Sequence, residues 1–208
     1  MSSPSGWVGH GVGRAPWLTI LSGLACIAMY MHYGPSPAAL MWTHDLYMHE
    51  PLRLITAHFV HCDPHHFWWN LPPFLLQGWM LERYGKRAWL IGVAAGIAGV
   101  DIYLALWPGA PMVYCGLSGL LNAMLVMIVF HIWLETGYYP VILIAGADFV
   151  KITAEITNGG AIISSTSWPS VPEAHAFGFA AAVVVCAFSW PARRLARGYP
   201  ATPEAGAT

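Results

Sequence analysis

The chain has 208 residues, 57% hydrophobic and only 9% charged, with a mean hydropathy of +0.53. That is too apolar for a soluble domain of this length and points to the bilayer as solvent. A formal net charge of −1 excludes an electrostatic case for nucleic acid or for a strongly charged partner.

A spanning helix needs about 20 mostly apolar residues, and six segments approach this: roughly 17–33, 64–82, 88–107, 114–134, 138–156 and 173–190. Residues 1–16 carry Arg14 but no small-residue cleavage pattern, so they read as a cytoplasmic N-terminus followed by an uncleaved first span. The segment 34–63 is too polar to span, yet holds apolar and aromatic residues in short helical patches. It reads as a first outer loop lying in the interface. Pro72 and Pro73 fall inside the second span and should kink it. The second outer loop, 108–113, is short; the third, 157–172, is rich in Gly, Ser and Thr, a composition that permits movement. Residues 191–208 read as a cytoplasmic, disordered tail, leaving 17–190 as the membrane domain.

Six spans put both termini on one side. Arg14, Arg83, Lys86, Arg87, Arg193, Arg194 and Arg197 fall on that side, seven of the nine Lys and Arg, which marks it as cytoplasmic. Trp17, Trp42, Trp107 and Trp168 lie near span ends, where amphipathic rings favour the interface. The expected location is a bacterial inner membrane crossed several times, with any site on the opposite end opening to the periplasmic side.

The four cysteines, Cys26, Cys62, Cys115 and Cys186, lack metal-type spacing and are too scattered for a disulfide scaffold. Cys26 and Cys186 read as small packed apolar residues. Cys62 and Cys115 fall near the outer face, where an oxidising compartment would allow a disulfide between them.

A strongly polar side chain at membrane depth costs about 2.5–3.5 kcal/mol, so each requires a reason. His58, His61, His65, His66 and Asn70 crowd the start of the second span, with His66 and Asn70 one helical turn apart. Gly116-Leu117-Ser118-Gly119 opens the fourth span, and Glu173-Ala174-His175-Ala176-Phe177-Gly178 opens the sixth. Even-numbered spans all begin outside, so the three clusters share one depth.

The chemistry they suit is acyl transfer. A serine hydroxyl is a poor nucleophile until a base accepts its proton, and histidine does this near neutral pH. Ser118 at a helix start has unpaired backbone N–H groups beside it, and His66 and Asn70 could complete an oxyanion hole. His58, His61 and His65 are expected to help hydrate a cavity below the surface. Gly178 and Ala182 behind His175 allow a close approach to the fourth span, where Gly116 and Gly119 remove bulk. A Ser–His dyad needs that closeness, since no third residue is evident to orient the imidazole.

In the fifth span, Asp148, Lys151 and Glu155 have i,i+3 and i,i+4 spacing, so Lys151 can pair with both carboxylates. A structural ion pair facing the bundle is the expectation; a proton relay or aspartyl protease is the functional alternative. His131 reads as interfacial. The histidines could instead bind a metal, but no HExxH-type arrangement supports a metalloprotease.

The pattern Arg53-x-x-Thr56-x-x-Phe59-x-His61-x4-His66-x3-Asn70, then Gly116-x-Ser118-Gly119, then Ala174-His175-x-x-Gly178 resembles the rhomboid family of intramembrane serine proteases over residues 50–190. The resemblance implies an all-α, six-helix membrane bundle that cleaves membrane-anchored protein substrates within the lipid bilayer, without cofactor or metal. It implies Ser118 as nucleophile, His175 as base, Ser118 N–H, His66 and Asn70 as the oxyanion hole, His61 as structural, and Arg53 as a loop anchor. The short chain and the Gly-Leu-Ser-Gly and Glu-Ala-His stretches are most similar to the rhombosortase subgroup, associated with clients bearing a C-terminal Gly-Gly-type tail, hydrophobic helix and basic end. Asn122 stands where many rhomboids carry an aromatic that stacks on the histidine, so a hydrogen bond from Asn122 to His175 is expected instead. Two alternatives stay open: an inactive rhomboid-like protein that binds membrane clients, and a histidine-lined transporter.

Overall fold

The computed structural model describes residues 15–162 and 168–196, with side chains as far as 190. The elements in chain order are α1 (Trp17–Tyr33), β1 (Trp42–Thr43), α2 (Arg53–Thr56), α3 (Pro64–Arg83), α4 (Lys86–Leu106), β2 (Val113–Tyr114), α5 (Ser118–Thr136), a 3₁₀ turn (Tyr139–Val141), α6 (Ile142–Asn158) and α7 (Pro172–Ala196). Residues 1–14 and 197–208 of the terminal segments expected to be cytoplasmic, and residues 163–167 of the third outer loop, lie outside the described residues, whereas residues 191–196, expected to belong to a disordered tail, continue α7 as helix.

Six long helices stand where six apolar segments were expected. Three of them, α4, α5 and Pro172–Trp190 of α7, are by themselves long and apolar enough to cross a membrane. α1 is apolar but shorter, and α3 gives up apolarity to His65, His66, Asn70, Gln77 and Glu82. The fourth and fifth helices begin later than their apolar segments do. Val113 and Tyr114 are drawn into an antiparallel pair with β1, in register Trp42↔Tyr114 and Thr43↔Val113. Pro140 tightens the chain into a 3₁₀ turn before α6 begins.

α5 is the axis of the bundle. It is apolar on every face, as a helix surrounded by others must be, and it packs against α3, α4, α6 and α7. Leu120, Ala123, Met124 and Met127 on it are almost wholly buried. α6 sits at the edge, burying only Ile152 and Glu155, while Leu143, Phe149 and Val150 face outward. Such an outward apolar belt suits lipid rather than water.

α1 attaches through its first turn, whose N–H groups have no helical partners. Glu82, near the end of α3, supplies them: its carboxylate accepts from Leu18 N at 3.1 Å, Thr19 N at 2.7 Å and Thr19 Oγ1 at 2.7 Å. A negative charge there also complements the helix dipole. α3 runs through Pro72 and Pro73 without a break in assignment, so the carbonyls one turn back, on Trp68 and Trp69, lose their usual N–H partners.

Candidate active site

The start of α3 is built by local rules. Asp63 is extended and accepts from His66 N at 2.8 Å, with Pro64 in the first turn, the preferred chemistry for opening a helix. This fixes where His66 and Asn70 stand; Asn70 Nδ2 donates back to His66 O at 2.8 Å, leaving its second amide hydrogen for another acceptor. His61, just ahead, packs edge-on against the rings of His66 and Phe67. Burial, and secondarily the neighbouring His66, pushes the His61 imidazole down to about 3, so it is neutral. Arg53 is buried and ties the first outer loop together: Nη1 donates to Ala38 O at 2.6 Å and Met41 O at 2.8 Å, and Nε to Glu50 at 2.8 Å.

Ser118 is the first residue of α5. Gly116, two residues before, has φ +123°, a conformation open to glycine and costly to other residues. Its N–H donates to Ala57 O at 2.9 Å, and its carbonyl accepts from the Tyr114 hydroxyl at 3.2 Å. A disulfide joins Cys115, beside Gly116, to Cys62, beside Asp63. The turn before Ser118 and the start of α3 are therefore covalently tied.

α7 crosses α5 with almost no space between backbones. A Cβ on Gly178 would strike the carbonyl of Gly119, so glycine is required for this approach. The result is contact between the two helix starts: His175 Nε2 lies 2.9 Å from Ser118 Oγ. On the other side of the ring, His175 Nδ1 lies 3.3 Å from Glu155 Oε2. Glu155 is 2% exposed and His175 7%. A cavity of about 60 Å³ opens on these groups, lined by His66, Asn70, Ser118 and His175 and covered from the α6–α7 loop by Trp168, Pro169, Ser170 and Val171.

A hydroxyl in hydrogen-bond contact with a neutral-capable imidazole, at a helix N-terminus and beside further donors, is an arrangement that can deprotonate the hydroxyl and hold an oxyanion. The sequence matches the Rhomboid domain family over residues 48–192. The chain belongs to the rhomboid family. No curated protein matches it. The rhomboid domain is a polytopic membrane bundle, and its members are typically intramembrane serine proteases. The match begins in the first outer loop and takes in everything from α2 to the body of α7.

Within this rhomboid bundle, several residues sit differently from the sequence expectation. Asn122 does not reach His175; one turn into α5, its Nδ2 donates to Ser118 O at 2.7 Å. The imidazole is met instead by Glu155, from a helix that the motif pattern does not touch. Lys151 pairs with Glu155 at 3.2 Å, whereas Asp148 Oδ2 is buried without a hydrogen-bond partner. His58 and His61 do not hydrate the cavity: both are almost wholly buried, His58 turned to Asp101 of α4 at 3.2 Å. Of the four histidines in the cluster only His66 lines the cavity, together with Asn70, while His65 faces outward near Trp68 and Trp69. No group of three or more candidate metal ligands gathers among the described residues. His131 is buried and stacked on Tyr84, with ring centroids 4.7 Å apart, rather than lying free at an interface.

Tyr114 was not singled out by the sequence. It is one of the residues lining the cavity, and burial raises the pKa of its hydroxyl, so the hydroxyl stays a donor. Nothing in its sequence context, a short strand in an aromatic loop, marks it.

Proposed function

We propose that this rhomboid is an intramembrane serine endopeptidase acting through an acyl-enzyme. Ser118 Oγ attacks the scissile carbonyl carbon while its proton passes to His175 Nε2. The oxyanion is held by the N–H of Ser118, the second amide hydrogen of Asn70 and the ring of His66. His175 then returns the proton to the leaving amine. Water in the cavity repeats the sequence on the ester and frees the enzyme. One oxyanion donor typically contributes about 10²–10³ in rate.

The single observation that carries this reading is the 2.9 Å contact between His175 Nε2 and Ser118 Oγ, made in a lined cavity where three helices begin. An inactive client-binding role has no use for that contact. A transporter needs polar groups through the full depth, whereas the histidines here split between the site, a buried pair with Asp101 and the outer surface. Substrates are membrane-anchored proteins whose helix unwinds near this end, with small residues preferred because the cavity is small. A C-terminal Gly-Gly-type tail ahead of a hydrophobic helix is the client form favoured by the likeness to rhombosortases. The topology that fits the basic residues has both termini cytoplasmic and the site toward the periplasm.

The test is cleavage in membranes of reporters with one hydrophobic helix, with and without a Gly-Gly-type tail, by the natural chain, Ser118→Ala and His175→Ala. Cleavage by the natural chain alone is expected. Equal cleavage by Ser118→Ala would overturn the reading.

A further inference from the structure

The mechanism above uses Ser118 and His175 and leaves one buried ionised group at the site unexplained. Glu155 lies near the end of α6, in a helix with only two buried positions, and is one of them. An acid at that depth needs a partner, and Lys151, one turn earlier, is within 3.2 Å of Oε2. That pair alone would be a sufficient structural reason for both residues. It does not explain the direction of the carboxylate. Lys151 is 31% exposed on its side chain, while Glu155 is turned inward with Oε2 3.3 Å from His175 Nδ1. Its other oxygen, Oε1, accepts from Ile162 N at 3.4 Å. Two donors, Lys151 Nζ and Ile162 N, thus hold the carboxylate against the Nδ1 edge of the imidazole.

The consequence is a choice of tautomer. A carboxylate accepts only, so Nδ1 must carry the ring hydrogen to meet it. Nε2 is then bare, and the group 2.9 Å away from it is the Ser118 hydroxyl, whose proton it must take. With the opposite tautomer, Nε2 would point a hydrogen at Ser118 and could not act as base. The carboxylate also stabilises the positive imidazolium formed as Ser118 attacks.

We infer that Glu155 is the positioning residue of the active site, holding His175 in its base-competent tautomer so that Ser118, His175 and Glu155 work as a triad, with Lys151 holding Glu155. This rests on the serine-protease reading and goes beyond its dyad. The charged and titratable groups that interact with His175 are Glu155 and Asp148 from α6 and His66 from α3, with Lys151 paired to Glu155. Of these, Glu155 alone makes a hydrogen-bond contact with the ring.

The experiment compares the full-length chain in membranes with Glu155→Gln and Glu155→Asp, using a reporter cut in a Ser118-dependent way. Glu155→Gln is isosteric but lacks the charge. It should lose about 10²–10⁴-fold in cleavage rate, the range for losing an orienting carboxylate. The acid limb of its pH–rate profile should move to lower pH, because imidazolium is no longer favoured by a neighbouring anion. Glu155→Asp should recover part of the rate. A purely structural ion pair would lower the melting temperature and leave the shape of the profile alone. A second measurement needs no variant: isotope-edited NMR of the histidine ring nitrogens should find His175 protonated at Nδ1 and bare at Nε2 at neutral pH. The opposite tautomer overturns the proposal even where Glu155 variants fail to fold. A natural chain that cuts through Ser118, with Glu155→Gln equal to it in rate and profile, also overturns this proposal and spares the protease reading. Cleavage that persists in Ser118→Ala overturns both.

Discussion

The imidazole of His66 lies across the Cα of Gly116, so close that position 116 has room for a hydrogen and nothing larger. Two segments that share no sequence motif, the start of α3 and the turn before α5, are thereby pressed together, and the Cys62–Cys115 disulfide binds the same two segments one residue further out. The mutual position of His66 and Ser118 depends on that contact.

Gly116→Ala should therefore act on chemistry more than on fold. A Cβ would push into the His66 ring, and φ +123° adds backbone strain of about 1–3 kcal/mol. Displacing His66, an oxyanion donor in the proposed mechanism, should reduce Ser118-dependent cleavage about 10²–10³-fold. Gly146→Ala, on an open part of α6 with nothing near its Cβ, is the control and should cleave like the natural chain. Equal rates for both variants would show that His66 can yield without loss.

Reduction of the disulfide gives a separate test of the same junction. The bridge closes a loop with a sequence separation of 53, for which the chain-entropy relation gives about 4 kcal/mol of stability. Reductant, or Cys62→Ser with Cys115→Ser, should lower the melting temperature in detergent. Cleavage should fall more steeply on warming, since the freed ends bear Asp63 and Gly116. A reduced chain with unchanged melting and activity would leave the bridge no role in holding the site.

At the other side of the site, Gly178 sets how near α7 comes to α5. Gly178→Val would place two methyl groups where the Gly119 carbonyl lies and must drive the helices apart. Overpacking of this kind costs about 1–3 kcal/mol, but the larger effect is on His175, three residues earlier on the same helix. A separation of even about 1 Å can cost on the order of 10²-fold in rate. Cleavage should thus fall far more than the melting temperature does, and a variant that loses both in proportion would argue for a packing role alone.

What could be read from the residues, and what could not, divides along a physical line. The apolar run alone placed the start of the second span at 64, where Asp63-Pro64 opens α3 by local capping chemistry, and the convergence of His66, Ser118 and His175 followed from depth alone, since alternate spans begin on the same side. Glu155 was visible as half of an i,i+4 pair with Lys151, because helical spacing fixes that neighbour. Its contact with His175 depends on how α6 is rotated about its axis, which a helix edge with few buried residues does not specify. The depth signal was nevertheless present: the end of the fifth apolar segment and the start of the sixth must meet at one level. Asn122 was assigned the wrong partner for a related reason, as its nearest acceptor is the carbonyl of its own helix at Ser118, which competes with any tertiary one. The two-residue strands β1 and β2 are too short to show a period of two.

His61 provides a pH test of the junction's stability. In the fold its imidazole is neutral, with its pKa lowered by burial to about 3, against about 6.5 when exposed. Between those values the unfolded chain binds a proton that the folded chain does not, so stability rises with pH through that window. The contribution is fully present above about pH 6.5 and is lost as the pH falls, by about 1.4 kcal/mol per unit for one proton. His61→Gln cannot take up that proton and should show a shallower decline in melting temperature between pH 7 and pH 5, although it starts lower because it disturbs the ring contacts with His66 and Phe67. Thermal melts of the two chains in detergent across that range measure the difference in slope. Parallel lines would mean that His61 is open to protons in the folded state, and the packing of His61 against His66 would then have to be looser than the ring geometry describes.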